Sequence, residues 1–352
     1  MATEAHHPDK KYLLVRNTLV TAAAATVAAA LGIATRYEIQ TLEPIKGAFF
    51  KPPTFENPTK DIATERTLGI NRELGKSLTI ITLGDSECFK NGTKIGNGTI
   101  HDTSFPEIFA HKMRNKGLQM TSIIYATPGD TTDDALTTLH REDVRNTIRT
   151  AENPIIVLSL SGNDFRKFID HPKVHAALER VQAPLTLRRL IGVIGTAHGL
   201  SRRHIRTGKM LEDNFITVLD EMDKLAQERQ RLGNGSITGL VITLPPDFGF
   251  SPTVTFVRPN GSGKEVKNTT FDGNSGKVRN VATLIASTVA KREIRAWKRF
   301  AKQRQSHYPV AFMPMWEVLQ AIHFSSDQHV GQDGQEVLSS ALESAVFSPS
   351  ES

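Results

Sequence analysis

The sequence predicts an α/β domain built on a parallel sheet with helices on both faces. Five short apolar runs stand far apart along the chain, at Leu78–Leu83, Met120–Tyr125, Ile155–Leu160, Thr238–Leu244 and Val310–Met313. Segments of helical spacing lie among them, at Pro106–Lys116, Asp133–Thr150, Asn214–Arg231 and Val281–Gln303. Strands alternating with helices imply right-handed crossovers and hence parallel pairing. The third observation is the set of small and polar residues just past the runs, where such a sheet carries its functional groups.

Taken in order, Met1 to Lys11 is polar, and residues 1–16 are assigned to the cytoplasm. Residues 17–35 carry no charge, are dominated by alanine, and follow Lys10, Lys11 and Arg16. That length suits a bilayer span of roughly 20 residues, and the preceding cations place the rest of the chain outside the cytoplasm. An uncleaved anchor is the preferred reading. A cleaved signal peptide ending near Ala28-Ala29-Ala30 or Gly32-Ile33-Ala34 is one alternative, and a soluble alanine-rich helix is another. Residues 36–75, with Pro44, Pro52, Pro53 and Pro58, read as a stalk, and 76–352 as the folded domain.

Leu78–Leu83 is uncharged and rich in β-branched and aliphatic residues, as a strand buried on both faces should be. Gly84 permits a sharp turn after it, and Asp85 and Ser86 fall where a helix would begin. Either residue can serve as a helix cap. Val181–Arg206 holds the apolar run Leu187–Leu200 among arginines, which reads as a buried crossover helix or as a lid. Ser251–Lys277 follows Pro245-Pro246, is rich in Gly, Asn and Thr, and reads as a long surface hairpin or loop. The basic residues of Lys291–Arg304 fit one solvated helix face. Gln335–Val346 is an amphipathic helix.

At 352 residues the chain has ample length for a sizeable core. Its net charge of +6 and pI near 9.3 suit an anionic membrane or cell surface. No nucleic-acid motif accompanies the charge, so a nucleic-acid partner is not expected. Cys88 is the single cysteine, so no intrachain disulfide and no cysteine metal cluster can form. No His/Asp/Glu set has metal-ligand spacing, which disfavours a metal hydrolase, and no cofactor is expected.

Four groups collect at the strand ends: Gly84-Asp85-Ser86, Pro128-Gly129-Asp130, Ser161-Gly162-Asn163-Asp164, and Asp327-Gln328-His329 followed by Gly334. Together they supply a serine hydroxyl, a histidine to take its proton and a carboxylate to orient the imidazole. They also supply N–H donors for an oxyanion. Singly each has an ordinary structural meaning, as a turn glycine, a helix cap or one of twelve histidines. Their order is more informative than any one of them.

That order resembles the GDSL/SGNH hydrolases across about Leu78 to Val346. The resemblance implies a three-layer α/β/α sandwich around a five-stranded parallel sheet. It implies Ser86 as nucleophile, His329 as base, and the Ser86 N–H, Gly129 N–H and Asn163 side chain as the oxyanion hole. Three departures stand out: Glu87 replaces the leucine of the family motif, the surroundings of Gly129 match poorly, and Asp-x-His replaces Asp-x-x-His. Asp327 is therefore the expected triad acid, with a Ser–His dyad as the alternative.

The expected activity is that of an exported, membrane-tethered serine esterase acting on lipid or acylated glycan through an acyl-enzyme. A sugar O-acyltransferase on the same fold is the second reading. A non-catalytic envelope protein binding glycan or a partner is the third, and it requires the serine and histidine to lie too far apart to hydrogen-bond.

Overall fold

The five apolar runs form one all-parallel sheet. In the computed structural model, residues 67–72, 77–89, 93–95, 98–101, 103–160, 162–164, 210–246, 253–259, 266–272, 291–300, 308–324 and 329–347 are described. The strands are β1 (Ser77–Gly84), β2 (Thr93–Ile95), β3 (Gly98–His101), β4 (Gln119–Ala126), β5 (Pro154–Ser159), β6 (Gly239–Leu244), β7 (Thr253–Pro259), β8 (Val266–Asp272) and β9 (Val310–Pro314). The main sheet has the order β4-β1-β5-β6-β9, with every neighbouring pair parallel. β1 is thus flanked on one side by the strand that follows it in the sheet and on the other by the third. This is the reversal point at which open α/β sheets open a crevice beyond the strand ends.

The helices are α1 (Phe105–Asn115), α2 (Thr132–His140), α3 (Glu142–Thr150), α4 (210–231), α5 (291–300), α6 (Met315–Val318) and α7 (Gln332–Val346). Successive side chains of a strand point to opposite faces, and β1 divides its residues accordingly. Ile81 and Leu83 join a cluster with Ala135, Leu139, Val144, Ile148, Phe215, Met222 and Trp297, supplied by α2, α3, α4 and α5. Leu78 and Ile80 join the opposite cluster, with Phe105, Phe109, Met113, Met315, Leu338 and Leu342 from α1, α6 and α7. The result is the expected three-layer sandwich, with the strands in a buried middle layer.

Two expectations need revision. Asp133–Thr150 is not one helix: the chain breaks at Arg141, whose φ and ψ are −68° and 132°. At 100° per residue a continuous helix would put Val144 about 140° round from Leu139. The break brings Ala135, Leu139, Val144 and Ile148 into the same core. Residues 67–72, assigned by sequence to the stalk, belong to the folded domain. Leu68 N–H donates to the Ala345 carbonyl at 2.7 Å and Ile70 N–H to the Val346 carbonyl at 3.1 Å, and Ile70 bridges to Phe347.

Among the described residues, two antiparallel strand pairs stand outside the main sheet. β7 and β8 pair within the segment expected to be a hairpin or loop. The β2–β3 pair has a sequence signal in Gly96-Asn97, a favoured two-residue connection. The expected membrane span at 17–35, the Leu187–Leu200 run and Asp327 lie outside the described residues. Among the described residues no helix is long and apolar enough to cross a membrane.

Candidate active site

β1 ends at Gly84, where a larger residue would crowd its neighbours. A Cβ at this position would stand 3.0 Å from Cys88 Sγ and 3.1 Å from the Ser159 carbonyl. The chain then enters a single 3₁₀ turn, Ser86–Cys88, capped by the Asp85 side chain, which accepts from the Glu87 N–H at 3.1 Å. The cap reading and the chemical reading of this stretch are therefore compatible: Asp85 holds the turn and Ser86 is presented by it. Ser86 is 7% exposed. Cys88 packs into the core, and burial pushes its thiol well above the ordinary range, which leaves it a poor nucleophile.

His329 reaches Ser86 from the other end of the sequence. Its Nε2 lies 3.1 Å from Ser86 Oγ. In the tautomer protonated at Nδ1, Nε2 accepts the serine hydroxyl hydrogen, as a general base must. The loop carrying it is fixed by a bridge between Phe324 and Val330, by the Gly331 N–H on the His323 carbonyl at 2.8 Å, and by Glu87. The Glu87 carboxylate oxygens accept from the Val330 N–H at 3.2 and 3.3 Å.

Asn163, following β5, sits between two acceptors. Its Nδ2 donates to Asp85 Oδ2 at 3.2 Å and to the Asp130 carbonyl at 3.0 Å. Both amide hydrogens are engaged in this state, so stabilising an oxyanion requires the longer bond to be exchanged. Asp164 anchors the same turn to the start of α2, accepting at 2.9 Å from both the N–H and the hydroxyl of Thr132. Gly129 is exposed, with a φ of 96°. It is not among the residues lining the crevice around Ser86, whereas its neighbour Asp130 meets Asn163 through the main chain.

The crevice is lined by Asp85, Ser86, Glu87, Asn163 and His329, with an apolar wall of Leu160, Pro245, Pro246 and Met315. These residues follow β1, β5, β6 and β9, so the site lies at the carboxyl edge of the sheet. Burial raises the Asp85 carboxyl to about 6, opposed by the Glu87 N–H and by His329, and reinforced by Asp164 and Asp130. Sequence reading located Ser86, Asn163 and His329. It did not find the contacts of Glu87, Asp164 or the Asp85–Asn163 pair, which depend on residues distant in the chain.

Neither a family model nor a curated protein sequence matches the chain. Solved structures similar to it include a lipase from a goat rumen metagenome, at 14% identity and TM-score 0.44, covering 76% of this chain and 96% of that one. An extracellular lipase from Streptomyces rimosus matches at 16% identity and TM-score 0.42, covering 76% and 99%. A member of the lipolytic G-D-S-L family from Veillonella parvula matches at 12% identity and TM-score 0.37, covering 76% and 97%. In its five-stranded parallel sheet flanked by helices, the chain resembles the GDSL/SGNH hydrolases in fold.

Proposed function

We propose that the protein is a serine esterase that cleaves carboxylic esters through an acyl-enzyme. The observation that carries this reading is the 3.1 Å contact between His329 Nε2 and Ser86 Oγ at the carboxyl edge of the sheet. Ser86 Oγ attacks the ester carbonyl while His329 takes its proton; the imidazolium then protonates the departing alcohol. Water, deprotonated by the same imidazole, releases the acid and restores Ser86. Asp327 is the proposed partner of His329. Asn163 and the Ser86 N–H are the proposed oxyanion donors; the Gly129 N–H, the third donor that the family resemblance implies, does not line the crevice as it stands. The hydrogen-bond distance between serine and histidine argues against a purely binding role. Residues 17–35 support export and membrane tethering through their length, lack of charge and preceding cations.

Exposure of the full chain to a fluorophosphonate, with p-nitrophenyl acetate and longer esters assayed in parallel, tests the mechanism. Labelling should map to Ser86. The Ser86→Ala variant should lose labelling and turnover while keeping its thermal unfolding transition. Ester hydrolysis retained by that variant would exclude the serine mechanism.

A further inference from the structure

We propose that Glu87 is a positioning residue that holds the His329 loop at hydrogen-bond distance from Ser86, an inference that rests on the catalytic reading of that pair. Glu87 stands where the resembled family's motif has leucine, directly after Ser86. Its two oxygens share the Val330 N–H at 3.2 and 3.3 Å, and Oε2 also accepts from Gln335 Nε2 at 3.0 Å. Val330 is adjacent to His329, and Gln335 lies in the first turn of α7.

The polarity of this connection is fixed from its far end. Gln335 is fully buried, and its Oε1 accepts from the Phe105 N–H at 2.8 Å. A backbone N–H can be met only by an acceptor, so the carbonyl of Gln335 must face Phe105 and its NH₂ must face residue 87. Position 87 therefore meets two donors, and an ionised carboxylate, which only accepts, satisfies both. Leucine at 87 would leave the Val330 N–H and the Gln335 amide without these acceptors in a half-buried setting. The line Phe105–Gln335–Glu87–Val330 thus joins the start of α1, the start of α7, the serine turn and the histidine loop. Small errors in the serine–histidine geometry are expensive, since a misplacement of about 1 Å can lower a rate by 10²-fold.

The test uses the full chain with three changes: Glu87→Leu, Glu87→Gln, and Glu87→Gln combined with Gln335→Glu. Glu87→Gln can still meet Val330 through its carbonyl, but it sets one NH₂ against another at Gln335. The double change restores complementarity, because the carboxylate introduced at 335 accepts from Phe105 on one side and from the new amide on the other. With p-nitrophenyl acetate, kcat should fall about 10- to 100-fold in Glu87→Leu with KM nearly unchanged. The loss should be smaller in Glu87→Gln and largely recovered in the double variant. Hydrogen exchange at the Val330 amide should speed at least tenfold in Glu87→Leu and return toward the wild-type rate in the double variant.

An unchanged kcat in Glu87→Leu, a rise in KM alone, or a double variant no better than Glu87→Gln would overturn the proposal. Should Glu87→Leu fail to fold, the other two variants carry the comparison. If the wild-type chain neither labels nor turns over ester, the esterase reading falls. Val330 exchange then still decides whether Glu87 clamps the loop.

Discussion

Asp85 caps the serine turn and holds the Asn163 amide with one carboxylate, and burial makes its ionised form costly. Its pKa of about 6, against an ordinary value of 3.8, means that the folded state retains a proton that the unfolded chain has released. Stability therefore falls as pH rises between these values, and the penalty is complete above pH 6. The rise from 3.8 to about 6 corresponds to roughly 3 kcal/mol. Urea titrations from pH 4 to 7 should show this decline in the wild type and its absence in Asp85→Asn; equal slopes would contradict it. At this scale the sequence was legible for three residues that one crevice gathers, Ser86, Asn163 and His329. The supporting contacts were not legible, because Asn163 lies 78 positions from Asp85 and Gln335 lies 248 from Glu87.

Among the elements, α7 shows how a packing requirement fixes a single residue. A Cβ at Gly334 would run into the Val330 side chain and approach the His323 carbonyl to 2.8 Å. Both contacts belong to the structure that carries His329, and the carbonyl cannot swing aside as a long side chain does. Gly334→Ala should destabilise the protein by about 1–3 kcal/mol, as overpacking does, and should slow fluorophosphonate labelling of Ser86. Denaturant melts and labelling rates check both; unaltered values would show that the helix can move away freely. Helix and strand existence was readable from periodicity, but the α2–α3 break was not. It arises because two apolar pairs, out of phase on one helix, must enter one core, and only the fold specifies that core. Gly96-Asn97 did carry a local hairpin signal for β2–β3, masked by neighbours with little apolar alternation.

For the whole molecule, the sheet order places the site and the segment 67–72 closes the domain. The prolines before this segment suggest a stalk in the sequence, but its partners are at the opposite end of the chain: Thr67 Oγ1 donates to the Phe347 carbonyl across 280 positions. Leu68 packs beside Gly239 of β6 and against the α1–α7 core. Leu68→Ala should lower stability by roughly 1–2 kcal/mol, less than the 2–5 typical of fully buried sites, because Leu68 is half-buried. The denaturant midpoint should fall with the m-value unchanged; an unmoved midpoint would detach this segment from the fold.

The bridge between Ile70 and Phe347 also means that the domain's two ends lie side by side. A short linker can join them without disturbing a strand of the main sheet. The turn after α4, with Leu232 exposed and Gly233 and Gly235 at positive φ, is a suitable place to open new ends. Within this domain, the order in which the strands are read matters less to the structure than which strands lie beside one another.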